Sequence, residues 1–373
     1  MKMKSGASWP WASNPRLGLI GNPENRRVRD FQDTAVALGF SSPPCLSYEE
    51  LLQDPGALAR FDVDLIRIES PGENERVARC LIALGGGPRD ARLAFGEIAF
   101  QREYHAGFCH VLKWIEQRRI PCLNAPADIA LMFDKWRCHQ LFQHHHVARP
   151  PAELAPPDFA ALAERMRADG SGRLFLKPLH GSSGSGVCAL RWTPRHQQLT
   201  APLRFDSDAG RSVLVNSLKV RTYTRFADLE GILNRLLPDG MIGEQWIPKL
   251  TLPEGAVDLR VLVIAGEARH WVVRQSSHPM TNLHLGNRRA DESALLDCIG
   301  RDGLNAAFAL AEQAVRCFPN SLYAGVDILI DARHRVYVGE INAFGDLLPR
   351  LVHRNESAYA AIANACHDRG CLV

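Results

Sequence analysis

The first 120 residues alternate short apolar runs with amphipathic stretches. LGLIGNP (residues 17–23) reads as a strand entering a turn. RRVRDFQDTAVALG (26–39) follows, with Val28, Phe31, Val36 and Leu38 spaced for one helix face. FDVDLIRIESPGEN (61–74) carries a second strand into a Pro/Gly loop, and ENERVARCLIALG (73–85) and residues 100–117 read as helices. Such alternation predicts a small α/β unit with a parallel sheet. Further on, DIALMFDKWRCHQLFQ (128–143) has the pattern of one amphipathic helix, and Pro150–Pro151 break the chain. PPDFAALAERMRADG (156–170) predicts a shorter helix with Pro at its start and Gly at its end. Several short alternating segments run up to Tyr223, then a helix (225–237) and the strand MIGEQWI. The final third predicts strands DLRVLVIAG, ARHWVVRQSS, AGVDILI and RVYVGEIN, and a helix over about 304–317.

Composition narrows the class. A chain of 373 residues with 46% hydrophobic and 23% charged residues fits a globular protein of two or three structural units. A net charge of +3 is too mild to argue for nucleic acid or a membrane surface. No apolar run approaches the roughly 20 residues that cross a bilayer. MKMKSGASWPWASNPR lacks the apolar core of a secretory signal, so a cytoplasmic protein is expected. The ten cysteines are scattered without a CxxC pair, which favours reduced, buried thiols. His144–His146 fall late in a helical stretch and read as a helix end rather than a metal site.

Candidate chemistry gathers in four places. LFLKPLHGSSGSGV (174–187) runs from apolar residues and a lysine into a loop of three glycines and three serines. Glycines let a backbone close around an anion, although an ordinary hairpin turn has the same look. AGVDILIDARHRVYVGEINAFGD (324–346) is a hairpin signal; with a two-residue turn at Arg333–His334, Asp327 stands opposite Glu340. Alternation then puts Val336, Val338, Glu340 and Asn342 on one face. Two carboxylates and an amide suit a hard cation such as Mg²⁺ or Mn²⁺. Ion pairing of these carboxylates with Arg260 or Arg274 is the competing reading, and the arginines could serve both ends. EQWIP (244–248) resembles a linker that reads a base edge, and RQSSHPMTNLHLGN (274–287) an active-site loop.

Six pieces in this order, LNAPADIALMFDK, LFLKPLHGSSGSGV, EQWIP, DLRVLVI, the arginine-led loop ending TNLHLG, and GVDIL…YVGEINAFGD, resemble the ATP-grasp superfamily, most closely its RimK-like carboxylate–amine ligase branch. NAFGDLLPRL and RIESPGEN resemble an uncharacterised bacterial group within it, for which no substrate follows. The resemblance implies an α/β chain, α+β in its core: an ATP-grasp fold behind an N-terminal Rossmann-like pre-ATP-grasp domain. It divides the chain into residues 1–123 and 124–373, with a small lid lobe at about 150–247 and a metal-binding lobe at about 248–373. It implies that Lys135 and Lys177 contact phosphates of ATP. The loop from Gly181 through Ser182, Ser183, Gly184 and Gly186 to Val187 would close over them. Glu244, Gln245 and Ile247 would hold adenine, and Glu254 or Asp258 the ribose. Asp327, Glu340 and Asn342 would bind two Mg²⁺ ions, with Mn²⁺ an alternative. Arg274, with Arg260 as second candidate, would stabilise the transferring phosphoryl group, and Asn282 and His284 would flank the acceptor. The implied reaction joins a small-molecule or peptide carboxylate to an amine through an acyl phosphate; a homodimer is common in the superfamily. A kinase on the same scaffold and a regulatory ATP-binding protein are the alternatives. The arginines between 191 and 225 read as a solvated lid surface, with an anionic partner as the less favoured reading.

Overall fold

The computed structural model describes residues 15–181, 184–345, 351–353 and 355–371. Strands Leu17–Gly21, Cys45–Ser47 and Leu65–Ile68 form a parallel sheet with Leu17–Gly21 in the centre. The apolar runs carry little alternation because this sheet is covered on both faces. Helix Arg26–Ala37 is capped by the Asn25 side chain and buries Val28, Phe31 and Ala35. Val36 and Leu38 are 50% and 41% exposed, so the expected apolar face shifts: Ala35 lies two turns along the stripe from Val28, whereas Val36 is turned away and Leu38 sits past the last turn.

The amphipathic run at 128–143 is two helices, Pro126–Met132 and Lys135–His144. Phe133 closes the first helix with helical angles and packs edge-on against Phe108 and Phe344, while Asp134 turns extended and caps the second by accepting the Arg137 N–H at 2.9 Å. The break places Lys135 at a helix start. His144 ends that helix and His145 caps it.

The second sheet is six-stranded, from Ala152–Leu154 through Met241–Gln245, Gly172–Pro178, Cys188–Trp192 and Gln197–Asp208 to Arg211–Tyr223. In place of the expected short segments, the last two strands make one long hairpin. Its two-residue turn has Ala209 and Gly210 both at positive φ, the geometry that matches strand twist. Helices Phe159–Ala168 and Phe226–Leu236 cover this sheet through Phe159, Leu162, Leu229 and Ile232. Ile98 joins their core, and its N–H donates to Leu214 O at 2.9 Å, so the segment before helix Gln101–Gln117 is tied to the second sheet.

The third sheet runs Arg288–Arg289, Glu267–Ser276, Gly255–Ile264, Tyr323–Ile330, Val336–Asn342, all antiparallel. Helix Glu292–Val315 packs on it, with a break at Gly300 (φ 68°). Asn124 sews it to the first unit: its Oδ1 accepts the N–H of Leu322 and Tyr323, and its Nδ2 donates to Tyr323 O and Ala343 O. Arg67, paired with Glu69 at 2.6 Å, is buried between the rings of Phe31 and Tyr323. Helix Ala358–Cys371, which the sequence pattern did not disclose, covers the same junction through Tyr359 and Ile362. Among the described residues no helix is long and apolar enough to cross a membrane.

Candidate active site

The hairpin register sets the site. Asp327 pairs with Glu340 and Gly325 with Asn342, as the sequence predicts. Beyond Asp327 the register slips: Ile328 faces Val338 and Ile330 faces Val336, so Gly339 is bulged and residues 331–335 form the turn. A bulge adds one residue to one strand and exchanges its faces. Val338 therefore points into the core with Ile341, and the expectation that it shares a face with Glu340 and Asn342 is corrected. The bulge also frees the Gly339 carbonyl, which accepts from Lys177 Nζ at 2.8 Å.

Asp258, Arg260 and Arg274 join Asp327 on this face because Asp258 stands opposite Arg274, and Arg260 opposite Asp327. Arg260 pairs with Asp327 and Arg274 reaches the same carboxylate at 3.1 Å. Glu340 Oε1 lies 3.1 Å from Lys135 Nζ, and Lys177 Nζ 2.7 Å from Glu244 Oε2. The competing ion-pair reading thus describes the contacts of Asp327, while the cation on Glu340 is a lysine. Burial works against charge on Glu340, but Lys135, Lys177 and Arg260 prevail and lower its pKa. Burial likewise opposes the charge on Lys177, and Glu244 and Glu340 outweigh it and raise its pKa.

Two residues escaped the sequence reading. Lys249 Nζ donates to Asp258 Oδ2 and Thr281 Oγ1 at 2.8 and 2.7 Å, and Arg274 Nε to Asp258 Oδ1 at 2.8 Å. Burial alone would raise the Asp258 pKa; Arg274 and Lys249 drive it below the usual carboxylate range. Their one sequence signal is adjacency, Lys249 to EQWIP and Thr281 to Asn282. Asp258 is thereby fully engaged as a ribose candidate, and Glu254 is exposed beside Arg288.

The glycine loop abuts this cluster. Lys135 Nζ donates to Gly181 O. Gly184 and Gly186 have φ of 73° and 72°, and a Cβ on Gly184 would stand 3.1 Å from Asn282 Nδ2. Asn216 anchors the loop by donating to Ser185 Oγ at 2.7 Å. Ser182 and Ser183 lie outside the described residues. Val187 packs with Met280. Gln245 uses its N–H on Pro151 O at 2.8 Å, which withdraws that amide from base reading; Ile247 follows beyond the strand end. His284 sits in the turn Leu283–Leu285.

Two cavities meet at Asn282 and Glu340. One, about 80 Å³, is lined by Lys177, Lys249, Arg274 and Asp327. The other, about 210 Å³, is lined by Arg27, Ser70, Glu73, Lys135, Arg260 and Asn342. Among the described residues no three His, Cys, Asp or Glu side chains converge, so a cation here would take two carboxylates and the Asn342 amide, whose Nδ2 is buried without a partner. An all-oxygen set of this kind fits Mg²⁺ completed by phosphate and water.

Beside the loop, His180 stacks on His105 with ring centroids 3.9 Å apart and planes 6° from parallel. Burial and the neighbouring imidazole push the His180 pKa down to about 4, from 6.5. Because the unfolded chain then binds the proton more tightly, stability falls as pH drops from 6.5 towards 4. Urea unfolding at a series of pH values should show His180→Gln losing about 1–2 kcal/mol less than wild type across that window. Equal slopes would remove the imidazole from the acid response.

Residues 126–344 match the family model for YheC/D-like ATP-grasp proteins. A 79-residue segment is 39% identical to a probable α-L-glutamate ligase of Mannheimia succiniciproducens; it covers 21% of this chain, and the chain spans about a quarter (26%) of that relative's length. D-cycloserine synthetase DcsG superposes with a TM-score of 0.57 at 14% identity, over 95% of this chain and 99% of that one. The D-alanine–D-alanine ligase of Bacillus anthracis gives 0.53 at 12%, over 96% and 97%. The ATP-grasp ligase PsnB gives 0.51 at 15%, over 95% and 98%. These three likenesses show a shared fold. With its family match extending over more than half of the chain and enclosing both lysines, the hairpin and the glycine loop, the protein belongs to the YheC/D-like ATP-grasp family.

Proposed function

We propose that the protein is an ATP-dependent carboxylate–amine ligase, with residues 1–123 and the metal-binding lobe enclosing the acceptor and residues 150–247 acting as the lid. The observation that carries this reading is the junction at Asn282 and Glu340, where a cavity lined by Lys177, Lys249 and Arg274 meets one reaching the N-terminal unit. Anions of the triphosphate fit the first cavity, a carboxylate acceptor the second. Related folds are consistent with this: the Bacillus anthracis ligase is seen with ATP, and PsnB with a minimal precursor, Mg and ADP.

In this reading Lys135 and Lys177 leave Glu340 and Glu244 for phosphate oxygens, and Glu244 turns to the base. Asp327, Glu340 and Asn342 would hold Mg²⁺, which would neutralise phosphate charge when bound. Arg274 and Arg260, fixed on the strands by Asp258 and Asp327, face the γ-phosphoryl group without reorganising. A substrate carboxylate oxygen attacks the γ-phosphorus and ADP leaves. The amine nitrogen then bonds to the acyl carbon, the carbon–oxygen bond to phosphate breaks, and the amine loses a proton. The glycine loop, anchored by Asn216, keeps water from the acyl phosphate.

The test is ADP release from Mg-ATP against pools of carboxylates and amines, with hydroxylamine as trap and Asp327→Asn as control. Substrate-dependent ADP with an acyl hydroxamate, absent in the control, is the expected result. ADP with no trapped acyl group would favour a kinase, and AMP would overturn phosphoryl transfer.

A further inference from the structure

The 210 Å³ cavity has two unlike ends. Its inner end holds Lys135, Arg260 and Asn342; its outer end carries one cation and one anion, Arg27 and Glu73, with Nη2 and Oε1 3.8 Å apart. That outer pair is built into place. Glu73 is held at φ 67°, a left-handed conformation unusual for a residue with a Cβ, and Asn25 Nδ2 donates to its Oε2 at 2.9 Å. Asn22 Nδ2 fixes the loop by donating to Pro71 O and Gly72 O at 3.1 and 2.9 Å. A 3.8 Å ion pair whose carboxylate is 68% exposed contributes little to stability, whereas left-handed strain costs about 1–3 kcal/mol and clusters at binding sites. The pair is better explained as a reader of charge.

We propose that this cavity takes an acidic α-amino acid. Its ammonium would pair with Glu73, its α-carboxylate with Arg27, and its side-chain carboxylate would reach the phosphoryl junction at Asn282 and Glu340. The inference rests on the ligase reading, which requires a carboxylate at the inner end. Size agrees: a cavity of about 210 Å³ has room for one amino acid. A ligand with only one of the two outer charges meets a like charge in the other member of the pair, 3.8 Å from its own partner, which is the discrimination such a site offers.

Calorimetry on the full chain with Mg-AMPPNP would compare L- and D-glutamate and aspartate with glutarate, which lacks the ammonium, and 4-aminobutyrate, which lacks the α-carboxylate. At least one acidic amino acid should bind, and both analogues should bind at least about tenfold more weakly. Arg27→Met and Glu73→Gln should each raise its KM about tenfold or more, with kcat and AMPPNP affinity nearly unchanged. Glu73 is exposed, so its variant reports even if the arginine variant folds poorly. Equal binding of glutarate, an unaltered KM in Glu73→Gln, or no binding of any acidic amino acid would overturn the proposal. Binding without ADP formation would leave this inference standing and remove the ligase reading. ADP formation only with other carboxylates would do the reverse.

Discussion

Glu340→Gln is expected to lower substrate-dependent ADP formation by at least about 100-fold, the scale seen when one group that stabilises developing charge is removed. Glu340 stands opposite Asp327 across the hairpin, touches Lys135, and lines both cavities. Glutamine keeps the shape and one carbonyl oxygen but loses the charge that a hard cation and Lys135 both use. Stability should also fall, by about 1–3 kcal/mol, because Lys135, Lys177 and Arg260 hold the folded-state pKa of Glu340 below its usual value against burial. That contribution is present above the unfolded pKa near 4.5 and is lost as pH falls through the folded one. The two effects separate by pairing the change with Lys135→Met. Recovery of stability in the double variant would assign the stability loss to the ion pair with Lys135, whereas activity is read in Glu340→Gln alone because Lys135 also serves the phosphates. Lost activity in the folded Glu340→Gln variant identifies the carboxylate as part of the phosphoryl site, and full activity there would remove it from that role.

The largest loss of stability is expected at Asp258→Asn, about 3–5 kcal/mol by urea denaturation. Asp258 is 2% exposed, and its oxygens take Arg274, Lys249 and Thr281. Neutralising it leaves the two cations facing a single remaining carboxylate, Asp327, which Arg260 already engages. Burial already lowers the Lys249 pKa despite Asp258, so without the carboxylate Lys249 should lose its proton more readily. Adding Lys249→Met should therefore restore part of the stability, a coupling that a double-mutant cycle reads directly. Unchanged stability with weakened Mg-ATP binding would instead make Asp258 a nucleotide contact, the ribose role that its sequence position suggested.

Much of the frame is legible along the chain because it is local. The first strand, Leu17–Gly21, follows from an apolar run, and the hairpin from two β-rich runs. The hairpin's turn is residues 331–335 in place of the expected two-residue turn at Arg333–His334, and the bulge at Gly339 restores the expected pairing of Asp327 with Glu340. Errors fell where a tertiary contact overrode the local pattern. Phe133 packs on Phe108 and Phe344 at the end of one helix, and Asp134 turns extended and caps the next, which is what brings Lys135 to Gly181. Gly339 bulges where its carbonyl meets Lys177, and the bulge turns Val338 inward.

Sequence alone specified the carboxylate hairpin, which depends on residue types at short spacing, and the order of six motifs carried the resemblance to the ATP-grasp superfamily. Only the folded chain decided the partners: Lys135 with Glu340, Lys249 with Asp258, Arg27 with Glu73, and Arg67 between Phe31 and Tyr323. Periodicity specifies which face a side chain occupies, and says nothing of what another segment lays against it. A buried charge must find an opposite charge or a hydrogen bond, and that partner is selected by closure of long loops, whose information is spread over the whole sequence.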